Sequence, residues 1–263
     1  MENADGRGQP SCVLRSKQKR GRCLLLTYSD LIGQSLWLFV TFFGAVVTAL
    51  VAGIAFHEFS HAFVADRLGD HTARAMGRVS LNPVRHLDPT GTVFLLLGGF
   101  GWGKPVPVNP LRLRHGPHTG RAMVAAAGPV SNLLLASLAS VPMHLGLVDL
   151  SSPFRVPFSV SSWGIDQYVG LYLGSIIIFN IVLAVFNLLP IAPLDGFAVA
   201  VGLLPRDLAM SVARLEPYGP GILLILVAMP FLTGGQFSIL YEVMSPVING
   251  LTGLIAGGSR AIS

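Results

Sequence analysis

The chain has 263 residues, of which 52% are hydrophobic and 12% are charged, with a formal net charge of +5 and a mean hydropathy of +0.63. Soluble domains carry about twice this charged fraction. A soluble fold of this size could not bury so much apolar surface, so the composition predicts a polytopic membrane protein. The basic residues occur in short loops between apolar stretches, without interleaved aromatic residues, which excludes a nucleic-acid-binding face.

The first segment, residues 1–30, is polar and basic, and we expect it to be disordered or to lie on the membrane surface. The apolar run that follows is too long for a cleaved signal peptide, and no small-residue cleavage site is evident. Cys12 and Cys23, the two cysteines of the chain, are interpreted as free thiols, because a disulfide in this segment would stabilise little. Residues 31–263 are predicted to form one membrane-embedded domain.

Four stretches without Asp, Glu, Lys or Arg are long enough to cross a bilayer, for which about 20 apolar residues suffice. They are residues 31–56, with the helix continuing to about Asp66, and residues 122–148, 167–194 and 217–241; residues 243–259 form a weaker fifth candidate.

Residues 92–102 are apolar but short and rich in glycine, and two prolines follow closely. We expect a re-entrant or hairpin segment there, covered by protein. The predicted fold class is therefore an all-α polytopic membrane protein with about 4–6 transmembrane helices and a short re-entrant or hairpin segment.

The strongest local pattern is the sequence His57-Glu58-Phe59-Ser60-His61, which closes the first span. Residues four apart lie on one face of an α-helix, so both imidazoles can bind one metal ion. Glu58 projects about 60° around the helix axis from His61, where it can act on a water molecule at the metal without being a ligand. Ordinary polar residues at a helix end would give the same pattern, but ionisable groups at membrane depth are costly and usually functional.

A catalytic zinc site needs a third protein ligand, and Asp195 is the best candidate. It follows the third span, where Pro190 and Pro193 end the helix. Gly196 permits a tight turn that can aim the carboxylate inward. The alternative interpretation is an aspartate that only caps a loop.

Together, the His-Glu-x-x-His pattern and the Asn-x-x-Pro-x-x-Pro-Leu-Asp-Gly sequence of residues 187–196 resemble the site-2 protease family of intramembrane metalloproteases. Further matches to the small bacterial branch of that family, which lacks PDZ and CBS domains, follow in order over most of the chain. They are Leu81-Asn82-Pro83, His86-Leu87-Asp88-Pro89, the segment from Phe100 to Pro110, Ala127-Gly128-Pro129 with Asn132, and Leu215-Glu216-Pro217-Tyr218-Gly219.

The resemblance implies that residues 31–263 form an intramembrane metalloprotease domain, with one Zn²⁺ per chain held by His57, His61 and Asp195. Glu58 is then the catalytic base, and Asn187 lies near the active centre, in contact with the scissile peptide. The implied partners are membrane-protein substrates and the lipid bilayer of a bacterial cell, and no nucleic acid. The identity of the substrate and the oligomeric state stay open.

Two other functions stay open: a catalytically inactive membrane scaffold, and a metal or ion transporter of related architecture. The three predicted metal ligands and the predicted base Glu58 are all present, which disfavours the scaffold. The sequence shows no internal repeat of the kind that many transporters have, which disfavours the transporter. The orientation in the membrane is also open. Eight basic residues between Arg67 and Arg121 predict that the end of the first span with His61 faces the cytosol, whereas the basic N-terminal segment predicts the opposite.

Two further polar residues are singled out. His86, beside the Asn82-Pro83 turn, is interpreted either as a group that supports the metal ligands or as a surface-loop histidine. Asn132, in an apolar helix, is predicted to make a hydrogen bond between helices.

Overall fold

The structure is a computed structural model that describes residues 36–91, 93, 103–154, 163–235 and 238–257. The predicted N-terminal segment of residues 1–30 lies outside the described residues. So does nearly all of the predicted re-entrant segment of residues 92–102, of which only Val93 is described.

The described chain is built from α-helices. They are α1 (Leu36–Arg67), α2 (Thr72–Ala75), α3 (Pro117–Ala139), α4 (Val141–His144), α5 (Ile165–Asn187), α6 (Asp195–Leu203), α7 (Arg206–Ala213), α8 (Gly219–Leu232) and α9 (Ile239–Ala256). Short 3₁₀ turns cover Pro83–Arg85, Pro110–Arg112 and Glu216–Tyr218. Within the described residues no β-strand occurs, and the only β-type pairing is an isolated antiparallel bridge between Leu87 and Gly103.

Five stretches of the described chain are long and apolar enough to cross a membrane. They are Leu36–Arg67, Pro117–Ala139, Ile165–Asn187, Arg206–Leu232 and Ile239–Ala256. Lipid cannot hydrogen-bond to backbone groups, so a span must satisfy them internally, as a helix does. Four of these stretches are single helices, whereas Arg206–Leu232 joins α7 to α8 through the 3₁₀ turn at Glu216–Tyr218. The prediction of an all-α multi-pass membrane protein is confirmed.

Three of the predicted spans end elsewhere in the structure, because glycines and prolines interrupt them. The second ends at Ala139 instead of residue 148, just before the Val141-Pro142 start of α4. The third ends at Asn187 instead of residue 194, since Pro190 cannot continue the helix. The fourth ends at Leu232 instead of residue 241, and Gly234 and Gly235 follow with left-handed φ angles of 61° and 82°.

Helices α1, α3 and α5 pack against one another at the centre of the molecule. Leu38 and Leu50 of α1 join Leu171 of α5 in one buried cluster, and Ile177 of α5 packs with Ala136 of α3 in another. Helix α6 lies against α3. This packing brings the end of α5 and the start of α6 next to the C-terminal half of α1.

Candidate metal centre

The two predicted histidine ligands lie on the same face of α1. His57 and His61 are both buried, their ring centroids are 4.6 Å apart, and the rings are nearly perpendicular. His61 precedes the end of the helix at Arg67 by about 9 Å of rise. Both imidazoles therefore face the interior of the helix bundle near one end of the span.

A glycine on α3 makes room for both rings. A β-carbon added at Gly128 would lie 2.6 Å from Cε1 and Nε2 of His57 and from Cε1 of His61. Real side chains do not tolerate such distances, so the imidazoles occupy the space that any other residue type would fill. The glycine at this position is thus required by the metal-ligand candidates that it contacts, which lie far from it in the sequence.

The hydrogen bonds of the two rings determine which nitrogen carries the proton. His57 Nδ1 lies 2.7 Å from Asn132 Oδ1, and His61 Nδ1 lies 2.7 Å from the backbone oxygen of Val124. Both partners are oxygen atoms that accept, so each Nδ1 donates. In a neutral imidazole the lone pair then belongs to Nε2, which is the usual arrangement of a metal-binding histidine.

Asp195 is placed beside these lone pairs by the loop between α5 and α6. It is the first residue of α6, not part of the predicted tight turn. Gly196 is needed for close approach: an added β-carbon there would lie 2.1 Å from the Leu188 carbonyl oxygen. Asp195 Oδ2 lies 3.0 Å from His57 Nε2 and 3.2 Å from His61 Nε2.

The three side chains together suit a metal ion. Their ligand atoms all lie within 4.8 Å of one another, and Asp195 Oδ2 is buried without a hydrogen-bond donor among the described residues. With both Nε2 atoms unprotonated, three electron-rich atoms converge on one point, which is favourable when a cation is shared among them. Two imidazole nitrogens and one carboxylate oxygen form a ligand set that zinc accepts in catalytic sites.

These side chains line a cavity of about 580 Å³. Glu58 and Asn187, the two predicted catalytic residues, line the same cavity. Asn187, the last residue of α5, donates one Nδ2 hydrogen to the Leu183 carbonyl at 2.9 Å, so its second Nδ2 hydrogen is not used by that bond. Arg121 and Glu216, which form an ion pair at 2.9 Å, also line the cavity.

Residues of the 103–110 segment line the cavity, and the segment is held by Arg78 and His86, which do not line it. The Lys104 N–H donates to the His86 carbonyl at 2.7 Å. The buried guanidinium of Arg78 donates to the carbonyl oxygens of Lys104 and Pro105 at 2.6 and 2.8 Å. A β-carbon at Gly103 would lie 3.4 Å from Glu58 Oε1, so the segment starts next to the predicted base.

Asp70 holds the far end of this segment. Its fully buried carboxylate accepts from the Asn109 N–H at 2.6 Å and from the backbone N–H and hydroxyl of Thr72. Burial by itself would raise the pKa of the Asp70 carboxyl, but these donors outweigh burial and lower its pKa below the usual value. The ionised carboxylate therefore stabilises the position of residues 109 and 110 at the cavity wall.

His86 is buried, and its predicted alternative as a surface-loop histidine is wrong. Its Nε2 donates to the Ser80 carbonyl at 2.6 Å, and its own carbonyl accepts from Lys104. These contacts support residues 103–110. Asn132 makes the predicted bonds between helices, and that prediction is confirmed.

Arg78 and Asp70, which shape the site, were missed from the sequence, and Gly128 was noted only within the Ala127-Gly128-Pro129 match, without a role at the metal site. Gly128 is flanked by Pro129, and an apolar helix with adjacent Gly and Pro could have suggested a close approach of another element. The charges of Arg78 and Asp70 resemble those of any membrane-flanking loop, and only their burial distinguishes them.

The fold and the cluster define the class: a multi-pass membrane protein that gathers two histidines and one carboxylate in a cavity among its helices. No family model matches the chain, and no solved structure matches it. It is 38% identical over 206 residues to "Putative zinc metalloprotease YwhC" of Bacillus subtilis, which covers 74% of this chain and 89% of that protein.

It is also similar to two mycobacterial proteins that share one name, "Putative zinc metalloprotease Rip2". The protein of Mycolicibacterium smegmatis is 29% identical over 210 residues, covering 77% of this chain and 74% of that protein. The protein of Mycobacterium tuberculosis is 31% identical over 206 residues, covering 76% and 72%. The chain belongs to the zinc metalloprotease family of YwhC and Rip2.

Proposed function

We propose that the protein is an intramembrane zinc endopeptidase of the site-2 type, which hydrolyses peptide bonds of membrane-protein substrates within or next to the bilayer of a bacterial cell. His57, His61 and Asp195 hold the metal ion, Glu58 is the catalytic base, and Asn187 binds the substrate. The observation that carries the proposal is the convergence of the three ligand atoms in a cavity that Glu58 also lines.

Each residue has a chemical task in this proposal. When bound, zinc supplies Lewis-acid chemistry, which polarises a carbonyl and lowers the pKa of water toward about 7. Glu58 removes a proton from the attacking water and later delivers it to the leaving amine. The Asn187 hydrogen that the Leu183 bond does not use donates to the substrate carbonyl, where negative charge develops.

The segment of residues 103–110 supports a way to hold an extended substrate. Pro105 and Pro107 lack an N–H, and a following proline restricts Val106 to extended backbone. The backbone N–H groups of Val106 and Val108 have no partner among the described residues. In an extended chain these groups point to one side, where they can pair with an unwound stretch of substrate.

Pairing of this kind offsets the cost of exposing a scissile peptide in a membrane. Unwinding one helical turn in hydrocarbon leaves polar backbone groups unpaired at several kcal/mol each. A substrate with weak helix formers lowers this cost. We therefore predict that cutting occurs near Gly, Pro, Asn or Ser in a transmembrane helix, close to the membrane interface.

The substrate prediction is tested by replacing those residues with Leu in a cleaved substrate. Cutting should slow at least about tenfold while binding is nearly unchanged, because Leu raises the cost of unwinding but keeps the apolar surface. The measurements are cleavage rate and co-purification with an inactive variant. A uniformly Leu-rich, helical substrate that is cut equally fast would contradict the prediction.

The function itself is tested by Glu58→Gln, which keeps the size of the side chain but removes the base. The variant should retain zinc and lose cleavage, and proteomics of membranes should show a membrane protein that accumulates uncut. The matched control is Glu242→Gln, the same change on an exposed residue of α9, which should behave like the wild type.

The three functions predict different results. A scaffold predicts equal levels of uncut substrate in cells that carry the wild type, Glu58→Gln or Glu242→Gln. A transporter gives metal or ion flux through proteoliposomes without any cleavage. Substantial proteolysis by Glu58→Gln would remove Glu58 from the proposed role.

A further inference from the structure

Two asparagines lie fully buried at the centre of the helix bundle, outside the cavity. Asn132 belongs to α3 and Asn180 to α5, and neither has any exposed surface. A buried amide without hydrogen bonds costs about 1–3 kcal/mol, and an apolar residue would fill these places without that risk. The burial of two amides here is therefore explained either by a function or by a requirement for one specific helix packing.

Their hydrogen bonds form a chain that leads to the metal-ligand candidates. Asn180 Nδ2 donates to the Ile176 carbonyl at 2.9 Å, and Asn180 Oδ1 accepts from Asn132 Nδ2 at 2.9 Å. Asn132 Nδ2 also donates to the Gly53 carbonyl at 3.1 Å. Asn132 Oδ1 is left to face His57 Nδ1 at 2.7 Å.

Backbone carbonyls fix which amide group donates and which accepts in this chain of hydrogen bonds. The oxygens of Ile176 and Gly53 can only accept, so each must meet an amide nitrogen. If the Asn132 amide were rotated by 180°, its oxygen would face both the Gly53 oxygen and Asn180 Oδ1. If Asn180 rotated as well, its own oxygen would face the Ile176 carbonyl. Only the observed orientation pairs every group.

The glycine at position 53 is part of the same arrangement. A β-carbon there would lie 2.8 Å from Asn180 Oδ1 and 3.4 Å from Asn132 Nδ2. Its absence lets both amides approach the backbone of α1 one turn before His57. Three helices that lie far apart in the sequence thus meet at one set of hydrogen bonds.

We propose that Asn132, oriented by Asn180, is a positioning residue that holds His57 with its proton on Nδ1 and its Nε2 lone pair directed at the metal. The inference rests on the proposed zinc site and adds two residues to it. If Asn132 presented its amide nitrogen to Nδ1, the imidazole proton would move to Nε2, where it blocks a metal bond.

The neighbouring histidine provides an internal comparison. His61 Nδ1 donates to the Val124 backbone carbonyl, which no substitution of a side chain removes. The orientation of His57 depends instead on two side chains. A substitution at position 132 should therefore affect the metal site through His57 alone.

The experiment measures zinc affinity of the purified full-length protein by competition with a chelator, and the absorption spectrum of the cobalt-substituted protein. Asn132→Leu should weaken zinc binding about 10–100-fold and alter the cobalt bands. Asn132→Asp keeps an acceptor for His57 but turns a second oxygen toward the Gly53 carbonyl and Asn180 Oδ1, so its affinity should lie between those of the wild type and Asn132→Leu. Asn180→Leu should weaken binding less than Asn132→Leu, because the Gly53 carbonyl still orients Asn132.

A double-mutant comparison separates positioning from general destabilisation. Asn132→Leu should weaken zinc binding further in a His61→Ala background but not in a His57→Ala background, because it acts through His57. An equal loss in both backgrounds, or an unchanged affinity and cobalt spectrum in Asn132→Leu, overturns the proposal. If Asn132→Leu does not fold, the test depends on Asn180→Leu. An unchanged zinc affinity and cobalt spectrum in that variant overturn the proposed chain of hydrogen bonds.

A wild-type protein that binds no zinc would instead overturn the proposed function. The two failures are therefore distinguishable. Imidazole ¹⁵N spectra of the zinc-loaded protein report the tautomer directly, and in the wild type they should show the His57 proton on Nδ1.

Discussion

The central helices and the C-terminal helices of this protein are all apolar enough to cross a membrane, but they differ in what surrounds them. In the α5 span, 56% of the most apolar stretch is buried within the protein, against 11% in the Arg206–Leu232 span that contains α8. Large apolar side chains such as Leu224 and Phe231 of α8 are mostly exposed, as suits contact with lipid. The central helices instead enclose buried His57, His61 and two asparagines.

This difference indicates in which region substitutions are tolerated. Lipid tails are as apolar as leucine, so an exposed side chain of α8 gains little from any particular shape. At the centre, rings, amides and glycines must fit one another to within a few tenths of an ångström. Substitutions of the same size should therefore have very different effects in the two regions.

The largest effect is expected from the metal-ligand candidates. Replacing His57, His61 or Asp195 with Ala should each reduce zinc below about one per chain and lower proteolysis by more than the roughly 10–100-fold that loss of a supporting hydrogen bond causes. Elemental analysis of the purified protein and a cleavage assay measure this. If Asp195→Ala retains full zinc while another carboxylate variant loses it, the third ligand is elsewhere.

A smaller but specific effect is expected from one added methyl group at the centre. Gly128→Ala should weaken zinc binding at least about tenfold, because its β-carbon would press on both imidazoles at 2.6 Å. Gly250→Ala in α9 is the matched control, since an added β-carbon there meets nothing within 4 Å. It should leave zinc binding unchanged and stabilise the helix by about 0.5–1 kcal/mol.

Chelator competition and thermal unfolding in detergent measure the two glycine variants. Equal zinc affinity of the two would show that the imidazoles have freedom to move away from α3. That result would contradict the distinction between a tightly fitted centre and a tolerant periphery.

The smallest effect is expected at the lipid-facing surface. Leu224→Ala should change the free energy of unfolding by less than about 0.5 kcal/mol, because its side chain is 69% exposed. Ile177→Ala, at a fully buried position of α5, should cost on the order of 1–3 kcal/mol through lost packing. Unfolding in mixed detergent micelles compares them, and similar losses would indicate that α8 is covered by another protein surface.

From the sequence alone one can predict the fold class and the residues that form the candidate site. Long uncharged stretches specify membrane spans because an apolar helix is the stable form of such a chain in lipid. The spacing of His57 and His61 specifies one shared face because it matches the helical repeat. Pro190 specified the break that separates α5 from Asp195. These are local properties that neighbouring residues determine.

Most of the residues that support that site become evident only when the helices are packed together. The sequence predicted that Asn132 bonds between helices, but not that His57 and Asn180 are its partners. These partners, and the role of Gly128, depend on contacts between α1, α3 and α5 that no spacing along the chain encodes. Whether a charge in a loop is buried, as Asp70 is, also depends on elements that approach from elsewhere. A sequence pattern records the periodicity of one element, whereas fit and hydrogen-bond direction are properties of several elements packed together.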